Sequence, residues 1–321
     1  MSAQPVSRWR LIAAFFAIYI VWGSSYIGIR FAIESLPPFL MAGVRFSLAG
    51  GVLIVWARLR GAPAPTWANW RAAVIVGAIL FLASNGLLVW AEQSVPSGLT
   101  ALIYATIPLW MVLLDWLRPG GAVRPGWPVF FGLALGLVGI ALLVGPDKLA
   151  GSGGVNPLGA LALLIGGFIW AGGSIYSRQA ALPRSPLLST GMQLFGGGIL
   201  LLALAAVSGE VVTTQWSAIL PRSVIALVYL AIFGSIIGFT AYVWLLQVST
   251  PARVGTYAYV NPVVAVILGW AMAGEALTAR TLLASAVIIA SVVIVVGYRN
   301  RGSIKPVISQ NDGAAVSESS A

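Results

Sequence analysis

A chain of 321 residues with 59% hydrophobic and 8% charged side chains and a mean hydropathy of +0.96 is excluded as a soluble domain, where about a quarter of residues are charged. Cys and His are both absent, and the eight Asp and Glu are scattered with no two at ligand spacing, so disulfides, thiolate chemistry, metal sites and redox cofactors are excluded. The net charge of +10 reads as basic loops at a membrane surface rather than as a nucleic-acid footprint.

Apolar stretches long enough to cross a bilayer recur to the end of the chain. Ten are expected, at residues 11–31, 38–57, 70–91, 97–117, 127–144, 157–177, 187–207, 223–246, 252–273 and 281–298. The first has no small-residue cleavage site after it and reads as a retained helix, not a signal peptide. The Gly/Ser-rich Gly145–Asn156 is the longest connection, and the tail from Gly302 is polar, Ser-rich and expected to be disordered. With the N-terminus inside, thirteen of the eighteen Lys and Arg fall on the cytoplasmic side and four outside, leaving Arg45 within a span. Both termini are therefore expected in the cytoplasm, with the protein multi-pass in a plasma membrane of the bacterial inner-membrane type.

The chain also repeats itself. Val89–Trp116 recurs 154 residues on as Val243–Trp270, with Trp90/Trp244, Gln93/Gln247, Pro108/Pro262 and Trp116/Trp270 coinciding. At an offset of 148, Trp22/Trp170, Arg30/Arg178, Pro38/Pro186, Gly43/Gly191 and Gly50/Gly198 coincide. Five spans per half force the second half to enter from the opposite face. The expected fold is an all-α membrane protein of ten transmembrane helices in two inverted five-helix repeats. Its divisions are a cytoplasmic N-terminus 1–10, a first repeat 11–144, an external loop 145–156, a second repeat 157–298 and a cytoplasmic tail 299–321. Inverted repeats of this kind build secondary transporters, with substrate near the midplane between the halves.

Three segments, WGSSYIGIRFAIESLPPFLMAGVRFSLAG (22–50), IWAGGSIYSRQA (169–180) and YAYVNPVVAVILGWAMAGEALTARTLLASAVIIA (257–290), carry a resemblance to the drug/metabolite transporter superfamily, EamA type. It covers about residues 11–298. Within the superfamily the chain is similar to the YddG-type exporters of aromatic amino acids. The resemblance implies an inner-membrane exporter of small metabolites with a central cavity. Glu275 in the last segment aligns with Gly121 in the first half, so that Glu is not a product of the duplication.

The residues themselves narrow the expectation. Pro108 and Pro262 each remove a backbone donor at equivalent points of the fourth and ninth spans, and in lipid such a break is tolerated only against protein or a water-filled cavity. A packing kink is the alternative for each. Trp22, Tyr26, Asn85, Tyr104, Trp170, Tyr242 and Tyr259 lie inside spans and are the candidate substrate-binding residues, with interfacial-belt positions the alternative for the aromatic ones. The glycines Gly132, Gly136, Gly191, Gly196, Gly197 and Gly198 read as helix-packing positions. Arg45 alone is a poor clamp for phosphate-bearing substrates and reads as a residue that holds the second helix in place. Glu92, Asp115 and Glu275 lie at span ends, so a coupling proton would need Glu92 or Glu275 moved inward. No Gly-x4-Gly-Lys-Ser/Thr loop is present, which excludes a primary pump. The chain is thus expected to export neutral metabolites, aromatic and other neutral amino acids foremost, by alternating access through a central cavity. Drug or dye export and a passive channel are the alternatives. No enzyme activity, cofactor or required protein partner is expected; the expected partners are a small-molecule substrate and the bilayer.

Overall fold

The computed structural model describes residues 7–117, 126–144, 156–249, 254 and 256–302. Among them are ten long helices: α1 Arg8–Ala32, α2 Pro38–Leu59, α3 Trp67–Ala91, α4 Ser97–Leu117, α5 Trp127–Val144, α6 Pro157–Ser177, α7 Pro186–Val207, α8 221–248, α9 Tyr257–Ala273 and α10 Ala279–Gly302. Seven are long and apolar enough to cross a membrane, and α5, α9 and α10 carry shorter apolar stretches. The Gly145–Asn156 connection lies outside the described residues except for Asn156, and so do Gly121 and the tail beyond Gly302.

Helix starts follow from local chemistry. Proline stands at the first turn of α2, α6, α7 and α8, where its missing N–H costs nothing. Thr66 and Asn69 form a capping box on α3, and the Asn156 side chain accepts from Leu158 N at 3.0 Å to cap α6.

A closely packed helix pair joins the two halves. A Cβ on Gly50 would lie 2.7 Å from Gly191 O, and one on Gly191 would lie 2.9 Å from Ile54 N. Only glycine lets α2 and α7 approach so closely. Contacts run from Gly43 against Leu202 to Gly50 against Phe195, so these corresponding helices are antiparallel. In the same way, Gly132 and Gly136 press α5 onto Ser291 of α10. The expectation that these glycines serve packing is met.

Three helices depart from α geometry. Residues Ala17–Val21 of α1, Ala78–Asn85 of α3 and Leu230–Ile237 of α8 are π-helical. The last two are near-equivalent in the repeat. A π turn leaves carbonyls off the regular ladder, open to donors from neighbouring helices. Pattern reading cannot find these segments, because one inserted residue leaves the apolar run intact.

The two prolines behave differently. The fourth span is broken at Ala105–Thr106 into Ser97–Tyr104 and Ile107–Leu117, with Pro108 just after the break. Helix α9, in contrast, runs from Tyr257 through Pro262 without a break. The expected helix break at Pro262 is therefore corrected: the proline sits in the second turn, where few ladder bonds depend on it. Helix α9 is described from Tyr257, and most of the expected stretch from 252 to that point lies outside the described residues.

The α1–α2, α3–α4, α7–α8 and α9–α10 turns share one end of the bundle, termed the far end. The near end holds the start of α1 and the α2–α3 and α6–α7 connections, where Asn69 Nδ2 donates to Ala181 O at 2.7 Å.

Candidate functional site

The centre of the bundle is a chain of rings. Trp170 of α6 meets Phe81 of α3 at 6.0 Å between centroids, Phe81 meets Phe239 of α8 at 6.1 Å, and Phe239 meets Trp22 of α1 at 5.4 Å. Trp22 also meets Tyr242 of α8 and Tyr257 of α9, each at 5.2 Å, while Phe46 of α2 lies 4.9 Å from Phe81. Six helices from both halves contribute. Trp22 and Trp170 are repeat equivalents and are linked through Phe81 and Phe239. Those two are not equivalents: 154 residues on from Phe81 stands Ser235, and 154 on from Asn85 stands Phe239.

The π segments receive polar contacts from neighbouring helices around these rings. The Trp22 indole N–H donates to Gly234 O at 3.0 Å, and Arg45 Nε donates to Ser235 Oγ at 2.9 Å, both on the α8 segment. Arg45 thus ties α2 to α8. The Asn261 amide, turned so that its nitrogen meets acceptors, reaches Ile18 O at 3.1 Å and Tyr19 O at 3.0 Å in the α1 segment. On α3, Ser84 O accepts from the Tyr104 hydroxyl at 2.8 Å, and Ser84 Oγ donates to Gly166 O at 2.7 Å.

The seven candidate residues therefore divide. Trp22, Trp170 and Tyr242 come together in the ring chain. Tyr26 lies within electrostatic reach of Tyr104, Glu92 and Tyr257. Tyr104 is buried, its hydroxyl spent on Ser84, so it holds α4 against α3 and α6. Asn85 ends the π segment of α3 with its Oδ1 buried and without a donor among the described residues. The Tyr259 side chain lies outside the described residues. Tyr257, which was not among the candidate binding residues, joins the site, and so do Phe81 and Phe239, which were not singled out. Phenylalanine in an apolar span carries no signal of its own, and only the tertiary contacts reveal it.

At the near end a cleft of about 320 Å³ opens between Trp56 and Arg60 of α2, Ser185–Leu187 at the start of α7, and Thr240, Val243 and Trp244 of α8. Val243 stands one turn beyond Phe239 on the same face of α8, so the cleft and the ring chain share that face.

The far end is closed by polar contacts between halves. The Glu275 carboxylate accepts from Ser97 N and Ser97 Oγ, both at 2.7 Å, and from Gly98 N at 3.0 Å, capping α4. Gly274, at φ +65°, turns the chain to deliver it. Glu210 likewise accepts from Leu40 N at 2.8 Å and Phe39 N at 3.3 Å, capping α2. Ser223 Oγ donates to Phe31 O at 2.7 Å, Leu220 N donates to Ser35 Oγ at 2.9 Å, and Arg222 pairs with Glu34 at 3.6 Å. These caps were invisible in sequence, because each carboxylate and the residues it caps lie 170 or more apart in the chain.

A duplicated bundle of this form has relatives. The EamA-like transporter family matches twice, over residues 9–145 and 157–297, once in each half. The chain belongs to the EamA-like transporter family. As a member it is a membrane transporter and not an enzyme. It is 39% identical over 300 residues to the inner membrane transporter YedA of Escherichia coli, covering 93% of this chain and 94% of that one. It is 25% identical to the transporter YvbV of Bacillus subtilis, covering 98% of this chain and all of the relative. It is 27% identical to the protein PecM of Dickeya dadantii, covering 92% and 97%. One solved structure superposes with a TM-score of 0.61 at 23% identity, over 92% of this chain and 99% of the other, a likeness of fold.

Proposed function

We propose that this transporter exports small neutral metabolites, aromatic and other neutral amino acids foremost, across a bacterial inner membrane by alternating access between two inverted five-helix halves. The observation that carries the reading is the ring chain from Trp170 to Trp22 and Tyr257. It draws on both halves and lies between a near-end cleft and a polar far-end seal. Aromatic faces bind a flat apolar side chain by offset stacking. Carbonyls released by the π segments, and the Asn85 amide, suit an ammonium or carboxylate group. The antiparallel run of α2 and α7 supports the inversion. The excess of Lys and Arg at the near end supports a cytoplasmic near end and cytoplasmic termini. On this reading the structure is the state shut to the outside and cleft toward the cytoplasm. The similarity to YedA supports the inner-membrane location.

Reconstitution tests it. Full-length protein in liposomes should catalyse counterflow of labelled Trp, Phe and Tyr, saturably and in competition with one another. Trp170→Ala should lower that counterflow up to about tenfold, since loss of one partly buried aromatic partner costs about 0.5–1.5 kcal/mol. Transport of cationic dyes with no amino-acid counterflow would overturn the substrate assignment, and non-saturating flux without counterflow would make the protein a channel.

A further inference from the structure

Four acidic residues stand at the far end among the described residues, and three have evident structural roles. Glu34 pairs with Arg222, Glu210 caps α2 and Glu275 caps α4. Glu92 has none. It is the first residue beyond α3, its side chain is 0% exposed, and neither carboxyl oxygen accepts a hydrogen bond from any described residue. Arg30 reaches this residue, but its Nη1 donates to the Glu92 backbone carbonyl at 3.3 Å and not to the side chain.

A carboxylate in this position is held badly. Buried polar groups in folded proteins are almost always hydrogen-bonded, and an ionised one left bare costs far more than a neutral one. Glu92 also caps the C-terminal end of its helix, where the backbone dipole repels an anion. The groups around it are Arg30 and Tyr26 from α1, Arg45 from α2, Tyr104 from α4, and Glu275 from the turn after α9. The two arginines favour the anion, yet neither forms an ion pair with Glu92 among the described residues, and Arg45 spends its Nε on Ser235. Burial dominates, and with the Glu275 carboxylate nearby it pushes the Glu92 pKa well above the usual carboxylate range.

We propose that Glu92 is a proton-binding site that gates the far end. Its carboxyl takes up one proton from the aqueous phase as the halves close over it, and returns that proton when the far end opens and water reaches the side chain. Closure is then favoured by external acid. The proposal rests on the alternating-access reading but is independent of what is transported.

The chain contains no cysteine, so single reporters can be placed freely. Ser223→Cys puts a thiol at the buried seam between α8 and α1, and Ser208→Cys gives a thiol on an exposed far-end position. In lipid nanodiscs holding the full chain, maleimide labelling of Ser223→Cys, normalised to Ser208→Cys at each pH, should rise as pH is raised. In a Glu92→Gln background it should stay low at every pH, because the amide is a permanent mimic of the protonated carboxyl. The same pH response in both backgrounds overturns the proposal.

Melting provides a second reading. The folded chain keeps a proton that the unfolded chain releases near the ordinary Glu pKa of about 4.3. Stability is therefore highest below that value and falls as pH rises, until the raised folded-state pKa is passed. Glu92→Gln should remove this slope, and an unchanged slope counts against the site. If Glu92→Gln does not assemble, Glu92→Asp takes its place: a displaced labelling midpoint supports the proposal and an identical one overturns it. No substrate enters either measurement, so absent amino-acid counterflow would sink the substrate assignment while leaving the proton site to be decided separately.

Discussion

Two carboxylates, Glu210 and Glu275, show how single residues hold the far end. Each comes from the second half and accepts N–H donors at the first turn of a helix in the first half. A capping oxygen satisfies donors that have no partner within the helix and complements the dipole. Loss of such a cap costs about 0.5–2 kcal/mol. Glu275→Ala should therefore lower the melting temperature in detergent. Because this cap bridges the halves, it should also raise labelling of a Ser223→Cys reporter at fixed pH. A drop in melting temperature with unchanged labelling would show that the cap stabilises α4 without helping to close the far end. Arg45 was expected to hold the second helix in place, and its Nε donates to the Ser235 hydroxyl of α8. Tyr104 was expected to face a cavity, and instead its hydroxyl is held by Ser84. Residue type and depth were legible for both; the direction of the side chain was not.

At the scale of elements, the α2–α7 pair and the π segments set the arrangement. The glycines of α2 and α7 were legible because small residues at close spacing in apolar helices have few other uses. Gly50→Leu should push the helices apart, since the added side chain would meet the Phe195 backbone and Gly191 O. Overpacking of this kind costs roughly 1–3 kcal/mol, read as a fall in melting temperature. Gly51→Leu, one residue on with only the edge of Phe195 at 4.0 Å, should have little effect. The break in α4 is a second test. Pro108→Ala returns the backbone donor that Pro lacks, which should favour a continuous helix and slow transport without lowering the melting temperature. If counterflow is unchanged in Pro108→Ala, the break has no part in gating. Pro262, already within a continuous helix, marks how alike sequences diverge: Thr106 and Ala105 loosen the backbone before Pro108, whereas the corresponding turn before Pro262 stays helical.

For the whole molecule, the asymmetry between the two ends is the main feature. The far end is sealed by hydrogen bonds between halves, and the near end keeps a cleft beside α2, α7 and α8. Thr240→Cys, lining that cleft, should react with a membrane-impermeant maleimide in inside-out vesicles and resist it in right-side-out ones. Reaction from the opposite side only would reverse the assigned orientation. Transport substrate should change the picture: saturating Phe or Trp should slow Thr240→Cys labelling if the ring chain is the binding site, and have no effect if substrate binds elsewhere.

Composition and periodicity alone established a helical membrane protein of about ten helices, because crossing a hydrocarbon layer demands long apolar helices whatever their neighbours. The repeat was likewise legible, since Trp, Gln, Pro and Gly positions recur at fixed offsets. What only the tertiary structure decided is which faces of those helices meet. Nearly every face in such a chain is apolar, so hydropathy cannot separate a lipid-facing Phe from one in the central ring chain. Nor can it tell a carboxylate that caps a distant helix, as Glu275 does, from one buried without a donor among the described residues, as Glu92 is. That distinction is one of geometry across the two halves, and the candidate site depends on it.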